Sequence, residues 1–109
     1  MANTGFTIKL LHRTGAEIQA DVPQDGIVIG RSSNSADLSC SWDHRMSRRH
    51  GRVWVEDGSV WYEDLGSSNG SWYNQAKVTS KIRLSPYSVV VLGDTNLSLL
   101  FGTSDPTVP

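Results

Sequence analysis

The chain has 109 residues, room for one domain and not for two. Hydrophobic residues make up 38% and charged residues 19%, the balance of a globular protein able to fold without staples. A net charge of -1 excludes a global argument for nucleic acid, membrane or acidic partners, and the one cysteine, Cys40, excludes an intramolecular disulfide and fits a reducing compartment. No apolar run reaches the roughly 18 residues that a membrane span needs. Met1 to Gly5 carries neither a charged nor an apolar leader region, so no signal peptide and a cytoplasmic location are expected.

Taken in chain order, the sequence reads as short strands separated by turn residues. Phe6-Thr7-Ile8-Lys9-Leu10 alternates apolar with polar, and Ala16 to Val22 does the same, with Arg13-Thr14-Gly15 as the turn between them. Ile27-Val28-Ile29 is a short apolar run ending at Gly30. Gly51 to Val55 and Ser59 to Glu63 flank Glu56-Asp57-Gly58, and Asp-Gly between two such runs is a strong hairpin signal. Trp54 and Trp61 on these two strands are expected to pack in the core or across the strands. Val89 to Leu92 and Leu97 to Phe101 flank Gly93-Asp94-Thr95-Asn96, a second expected hairpin. The last stretch, 103–109, has two prolines and no periodicity and is expected to be a tail or linker after a domain over 1–102. No window carries a sustained helical period, and strands with turns roughly every eight to twelve residues predict an all-β sandwich.

In such a fold the strands hold and the loops act. Three inter-strand clusters carry the chemistry. The first is Gly30-Arg31, where glycine permits a close backbone approach and arginine then projects from a fixed point. By itself it also fits an ordinary strand end. In the second, Arg45-Met46-Ser47-Arg48-Arg49-His50, the Ser47 hydroxyl stands among guanidinium groups, a combination that suits a tetrahedral oxyanion. The same run also fits a solvated basic face, and His50 fits a structural hydrogen-bonder. In the third, Asp64 to Asn74, residues Gly66 to Gly70 tolerate unusual backbone angles, and the Asn69 amide can donate and accept, as gripping an extended peptide requires. A plain hairpin with Asn69-Gly70 at its tip is the alternative.

In this order and spacing, Gly30-Arg31, Ser47-Arg48-Arg49-His50 and Leu65-Gly66-Ser67-Ser68-Asn69-Gly70-Ser71-Trp72-Tyr73-Asn74 resemble the signature segments of the forkhead-associated (FHA) domain, over roughly residues 6–102. The resemblance implies a sandwich of two antiparallel sheets, about eleven strands, with functional loops at one end that bind a phosphothreonine peptide in kinase signalling. It implies that Arg31 and Ser47 hold the phosphate, that Arg48 makes a further contact, that Ser68 places a hydroxyl near the phosphate and that Asn69 bonds the peptide backbone. Gly30, His50 and Asn74 resemble framework positions. Arg45 matches a variable position that in some members reads the third residue after the phosphothreonine. Ser71 stands where threonine is more usual.

Other classes fit less well. Ser47, His50 and Asp64 can be written as a nucleophile triad, but Ser-x-x-His within one loop supplies no orienting geometry, so no enzyme is expected. Cys40, His44 and His50 match no standard zinc spacing, so no metal or cofactor is expected. Arg45, Arg48, Arg49 and Arg52 with Trp42 and Trp54 sketch a single-stranded nucleic-acid face, against which the overall acidic balance weighs. A phospho-independent interaction domain on the same fold is a further alternative.

Overall fold

The computed structural model describes residues 3–100. The expected tail, 103–109, lies outside the described residues. The alternating segments at the start pair antiparallel, as β1 (Asn3–His12) and β2 (Glu17–Pro23). With β7 (Ser71–Tyr73), β8 (Ala76–Lys77), β10 (Val89–Leu92) and β11 (Thr95–Leu100) they form a six-stranded sheet in the order β2-β1-β11-β10-β7-β8. The second sheet has the order β4-β3-β5-β6-β9, from β3 (Ile27–Gly30), β4 (Leu38–Ser39), β5 (Gly51–Glu56), β6 (Ser59–Asp64) and β9 (Ile82–Leu84). There are thus eleven strands in two sheets among the described residues. All pairs are antiparallel except β3 with β4, which makes the second sheet mixed.

Side chains alternate across each strand, so one face of each sheet supplies the core. Ile8, Leu10, Val90, Leu92 and Leu97 from the first sheet meet Ile29, Val53, Val60 and Tyr62 from the second, all at most 1% exposed. At about 25 cal/mol per Å² of apolar surface removed from water, this shared core is the main force closing the sandwich. Trp54 and Trp61 are direct cross-strand partners on the outer face of the second sheet. Arg52 lies over the first ring at 4.8 Å and Lys81 over the second at 4.6 Å.

Two expectations change. The β10–β11 turn contains only Gly93 and Asp94, because Thr95 and Asn96 already pair with Leu92 and Val91. The stretch after β6 is no plain hairpin. It crosses from the second sheet to the first, since β6 pairs with β5 and β9 whereas β7 pairs with β10 and β8.

Register determines which loops share an end. Ile29 pairs with Gly51 and Gly51 with Asp64, aligning the ends of β3, β5 and β6. In the other sheet, Ser71 pairs with Leu92, Leu92 with Thr95, and Thr95 with His12. The β1–β2, β3–β4, β4–β5, β6–β7 and β10–β11 connections therefore gather at one end of the sandwich.

Candidate functional site

At this loop end the β4–β5 segment lies against the end of β3. Gly30 is buried, and a Cβ there would run into the carbonyl of Arg48, so only glycine lets the loop backbone approach. The Arg31 amide donates to the Ser47 carbonyl at 2.9 Å. The Arg31 Nε–H donates to the Met46 carbonyl at 3.0 Å, and Met46 is itself 1% exposed. The half-buried Arg31 is thus held at Nε by a main-chain acceptor on a plugged loop, which leaves the outer donors of its guanidinium fork for a ligand.

His50 ties this loop to the next. It is fully buried, and its Nδ1 accepts the Ser47 backbone N–H at 3.0 Å. Nδ1 therefore carries no proton, and Nε2–H donates to the Gly70 carbonyl at 2.9 Å. Burial pushes the imidazole pKa below its usual value, outweighing the pull of the Gly70 carbonyl and of the Asp64 and Asp43 charges in the other direction. The neutral ring that results is the form able to make both bonds.

The β6–β7 connection is built on Asp64. One carboxylate oxygen accepts the amides of Gly66 and Ser67, both at 2.9 Å, and the other accepts the hydroxyls of Ser67 and Ser71, both at 2.6 Å. A carboxylate only accepts, so the Ser71 proton points to Asp64 and the buried Tyr62 hydroxyl donates to Ser71, at 2.6 Å. Burial alone would raise the Asp64 pKa. The Ser67 and Ser71 hydroxyls, the Ser67 amide and the neighbouring His50 outweigh it and hold the pKa below the usual carboxylate value.

From that base the connection reaches back to the β4–β5 loop. The Ser68 amide donates to the Ser47 hydroxyl oxygen at 2.9 Å, which leaves the Ser47 proton available to another acceptor. The Asn69 side-chain amide donates to the Arg45 carbonyl at 2.8 Å, and the Trp72 indole N–H to the Asn69 carbonyl at 3.0 Å. Arg31, Arg45, Ser47, Ser68 and Asn69, spread over 39 positions of sequence, are thereby linked at one rim. A fixed guanidinium beside a hydroxyl with a free proton, next to an exposed amide, suits an oxyanion carried on an extended chain. Arg48 is exposed, with its carbonyl over Gly30. Asn74 stands apart, at a φ of +51° in the β7–β8 turn, on the side leading away from the rim.

Asp43 lies outside the three sequence clusters and is fully buried. It accepts the amides of Arg45 at 3.0 Å and Asp94 at 2.8 Å and the Thr95 hydroxyl at 2.6 Å. It anchors the base of the β4–β5 loop to the β10–β11 turn, 51 residues away. No spacing rule announces such a contact. The Asp64 network had a local signal in Asp-x-Gly-Ser, a pattern that folds its amides back onto the aspartate.

The same geometry bears on the other readings. His50 faces the Ser47 amide and not the Ser47 hydroxyl, so the two do not form a nucleophile–base pair. Both of its ring nitrogens are engaged, and the buried Cys40 thiol has its pKa pushed up to about 12 by burial and by Asp43. His12, Asp43 and Asp94 bring ligand atoms within 4.8 Å of one another. The Asp43 oxygens already accept three donors, and two guanidinium groups face Asp94, so the trio works as an internal anchor. The indole N–H of Trp42 donates to Thr95, and its ring packs against the core, away from Trp54 on the outer face.

Comparison with known proteins agrees with this architecture. The FHA domain family model matches residues 27–93, the span from β3 to the β10–β11 turn. The FHA domain-containing protein FhaB of Mycobacterium tuberculosis is 38% identical over 87 residues, 79% of this chain and 53% of that protein. The chain thus spans about half the length of this curated relative. The FHA domain of the CT664 protein from Chlamydia trachomatis superposes with a TM-score of 0.75 at 34% identity, covering 94% of this chain and 98% of that one. The FhaA FHA domain, solved in complex with the intracellular domain of Rv3910, gives a TM-score of 0.69 at 26% identity, covering 86% and 98%.

Proposed function

The chain belongs to the FHA domain family, and from that premise we propose that it is a phosphothreonine-dependent peptide-binding module that mediates protein–protein interaction downstream of a Ser/Thr kinase. The observation that carries this reading is the pinned guanidinium of Arg31 beside the free proton of Ser47. In this reading Arg31 and Ser47 hold the phosphate. Ser68 presents its hydroxyl and Arg48 its side chain at the edge of the same pocket. Asn69, whose side-chain oxygen Oδ1 and second amide proton are left over from its bond to Arg45, grips the peptide backbone. Arg45 reads residues flanking the phosphothreonine, and Gly30 and His50 keep the two loops in register. The complex of the FhaA FHA domain with the intracellular domain of Rv3910 supports a role in recruiting protein partners.

The energetics are adequate. A phosphothreonine brings about -1.5 to -2 charges and three strong acceptor oxygens. Each charge-assisted hydrogen bond contributes about 1.5–3 kcal/mol net. At the upper end, four of these give about 12 kcal/mol, and a low association and ordering cost of about 4 kcal/mol leaves about -8 kcal/mol, a micromolar complex. Preference for threonine over serine rests on the γ-methyl, worth about 0.8 kcal/mol or roughly four-fold. The reading assigns no catalysis and no cofactor to the chain, because His50 is committed to loop structure.

The test is a phosphopeptide array followed by calorimetry on the best sequence in four forms: phosphothreonine, phosphoserine, threonine and aspartate. The expected order is phosphothreonine, then phosphoserine about four-fold weaker, with threonine and aspartate undetectable. Equal affinity for the phosphorylated and plain peptides would overturn the reading in favour of a phospho-independent interaction domain.

A further inference from the structure

The outer face of the first sheet is apolar towards its middle and charged at its two edges. Among the described residues the exposed large apolar side chains are Trp72, Val89 and Tyr87, at 40%, 42% and 89%. Trp72 and Val89 lie on this face, and Tyr87 stands just before β10. Ile8, Leu10, Val90, Leu92 and Leu97 point into the core, so the alternate residues of their strands point outward. Cross-strand pairing sets these in rows. One row crosses all six strands as Glu17, Leu11, Asn96, Val91, Trp72 and Lys77. The next runs Gln19, Lys9, Ser98 and Val89. The edge charges differ in sign. The β2 edge presents Glu17 and Asp21 and the β8 edge presents Lys77, all exposed. The Gln19 amide steadies the Glu17 carboxylate at 2.9 Å, and neither Glu17 nor Lys77 joins a salt bridge among the described residues.

A face with exposed apolar residues between unlike charged edges is complementary to itself under one rotation. A two-fold axis parallel to the strands, midway between two stacked sheets, lays the β2 edge of one copy over the β8 edge of the other and keeps the rows level. Glu17 then meets Lys77 of the second copy at both ends of the row. Trp72 lies over Leu11 of the second copy, and the β10 valines cover the middle. An axis across the strands would instead set the two acidic edges against each other. Six strands about 4.8 Å apart and side chains in successive rows give a contact of about 25 by 20 Å. That is the low end for a specific interface, which calls for a weak, reversible pair.

We propose that two copies of this chain associate through the outer face of the first sheet, about a two-fold axis parallel to the strands, with Trp72 over Leu11 and Glu17 against Lys77 across the interface. This rotation leaves both loop ends pointing the same way. The two second sheets then lie about 30 Å apart, three sheet spacings of about 10 Å, and the two rims open side by side. Under the phosphopeptide reading above, the pair engages two phosphothreonines of one partner, and the second capture becomes intramolecular. The association itself does not depend on that reading.

The experiment is sedimentation velocity of the 109-residue chain at low salt, over about 10 μM to 1 mM. Thermal melting confirms that each variant is folded. The wild type should pass from monomer to dimer within that range, and Val91→Glu should stay monomeric throughout. Glu17→Lys and Lys77→Glu should each weaken self-association about five- to thirty-fold, since each sets like charges opposite one another at two symmetric places. An equimolar mixture of these two variants should dimerise as the wild type does, because the mixed pair restores both ion pairs. The double variant Glu17→Lys/Lys77→Glu should recover in the same way. All the charge effects should shrink as salt is raised. A wild type still monomeric at the highest concentration, a Glu17→Lys variant that associates more tightly, or a mixture no better than its components would overturn the proposal. A wild type that dimerises in this way and yet binds no phosphopeptide would defeat the earlier reading and leave the association standing.

Discussion

Strand β6 has a connection at each end, and the two are held in different ways. At one end, Asp57 and Gly58 take φ values of +53° and +76° and close a hairpin within a single sheet. That turn needs only two residues that tolerate a left-handed backbone. At the other end, residues 65–70 cross between sheets; Gly66 and Ser67 bond back to Asp64, and the other four residues are bonded to groups distant in sequence. Leu65 bonds the His50 carbonyl, Ser68 the Ser47 hydroxyl, Asn69 the Arg45 carbonyl, and the Gly70 carbonyl accepts from His50. The hairpin is a local solution to reversing the chain. The crossing is a tertiary one, stiff only while its partners stay in place, and stiffness before binding is what lets a small exposed site bind without a large ordering cost.

Four experiments test that contrast, beginning with the largest effect. Arg31→Ala separates holding the loops from using them. It should cost about 2–5 kcal/mol of phosphopeptide affinity, by analogy with breaking a desolvated charge pair, with little change in a urea unfolding curve. Unchanged affinity in calorimetry would remove Arg31 from the site. His50→Ala should cost about 2–4 kcal/mol of stability, since it opens a cavity and strands the Ser47 amide and the Gly70 carbonyl in the interior. Phosphopeptide binding should fall with it even where the domain remains folded. Full binding by a folded His50→Ala variant would show that the crossing is rigid without its latch.

Gly30→Ala should cost about 1–3 kcal/mol, because the added methyl meets the Arg48 carbonyl and displaces the β4–β5 loop as a unit. Chemical shifts in that loop should move together. Asp57→Ala is the smallest perturbation, about 1 kcal/mol for placing alanine in a left-handed turn, with unaltered peptide affinity. An affinity loss there would mean that the two ends of β6 are coupled.

Protonation offers a separate probe of the latch. Because burial holds the folded pKa of His50 below its unfolded value, the unfolded chain takes up the proton first. The stability that His50 contributes is fully present above about pH 6.5 and is lost as pH falls toward the folded pKa. Asp64, whose folded pKa is depressed, withdraws its contribution only in more acidic solution, below its ordinary carboxylate range. Urea midpoints should therefore drop between pH 7 and pH 5 in the wild type, and less so in His50→Ala. An identical slope in both would exclude His50 as the titrating latch.

Much of this protein was legible in one dimension. Strands β1, β2, β5, β6 and β10 follow from alternation or apolar runs bounded by turn residues, because a half-buried strand writes its period into consecutive side chains. Asp57-Gly58 announced its own turn. The three clusters around Arg31, Ser47 and Asn69 stood out because each interrupts the strand pattern with residues that strands do not need. Strands β4, β7, β8 and β9 were not legible, since two or three residues carry no measurable period. Nor was the destination of the 65–70 segment: the Asn69-Gly70 pair reads equally well as a hairpin tip.

An all-β chain and the chemistry of the three loop clusters are written in the order of residues, because both depend on side-chain type and local periodicity. That Asp43 joins the amides of Arg45 and Asp94, 51 positions from it, and that Arg13 faces the same carboxylate as Arg45, depends on the folded whole. Those contacts arise from strand order and register, which are set by closing a shared core between two sheets, and no short stretch of residues encodes that closure.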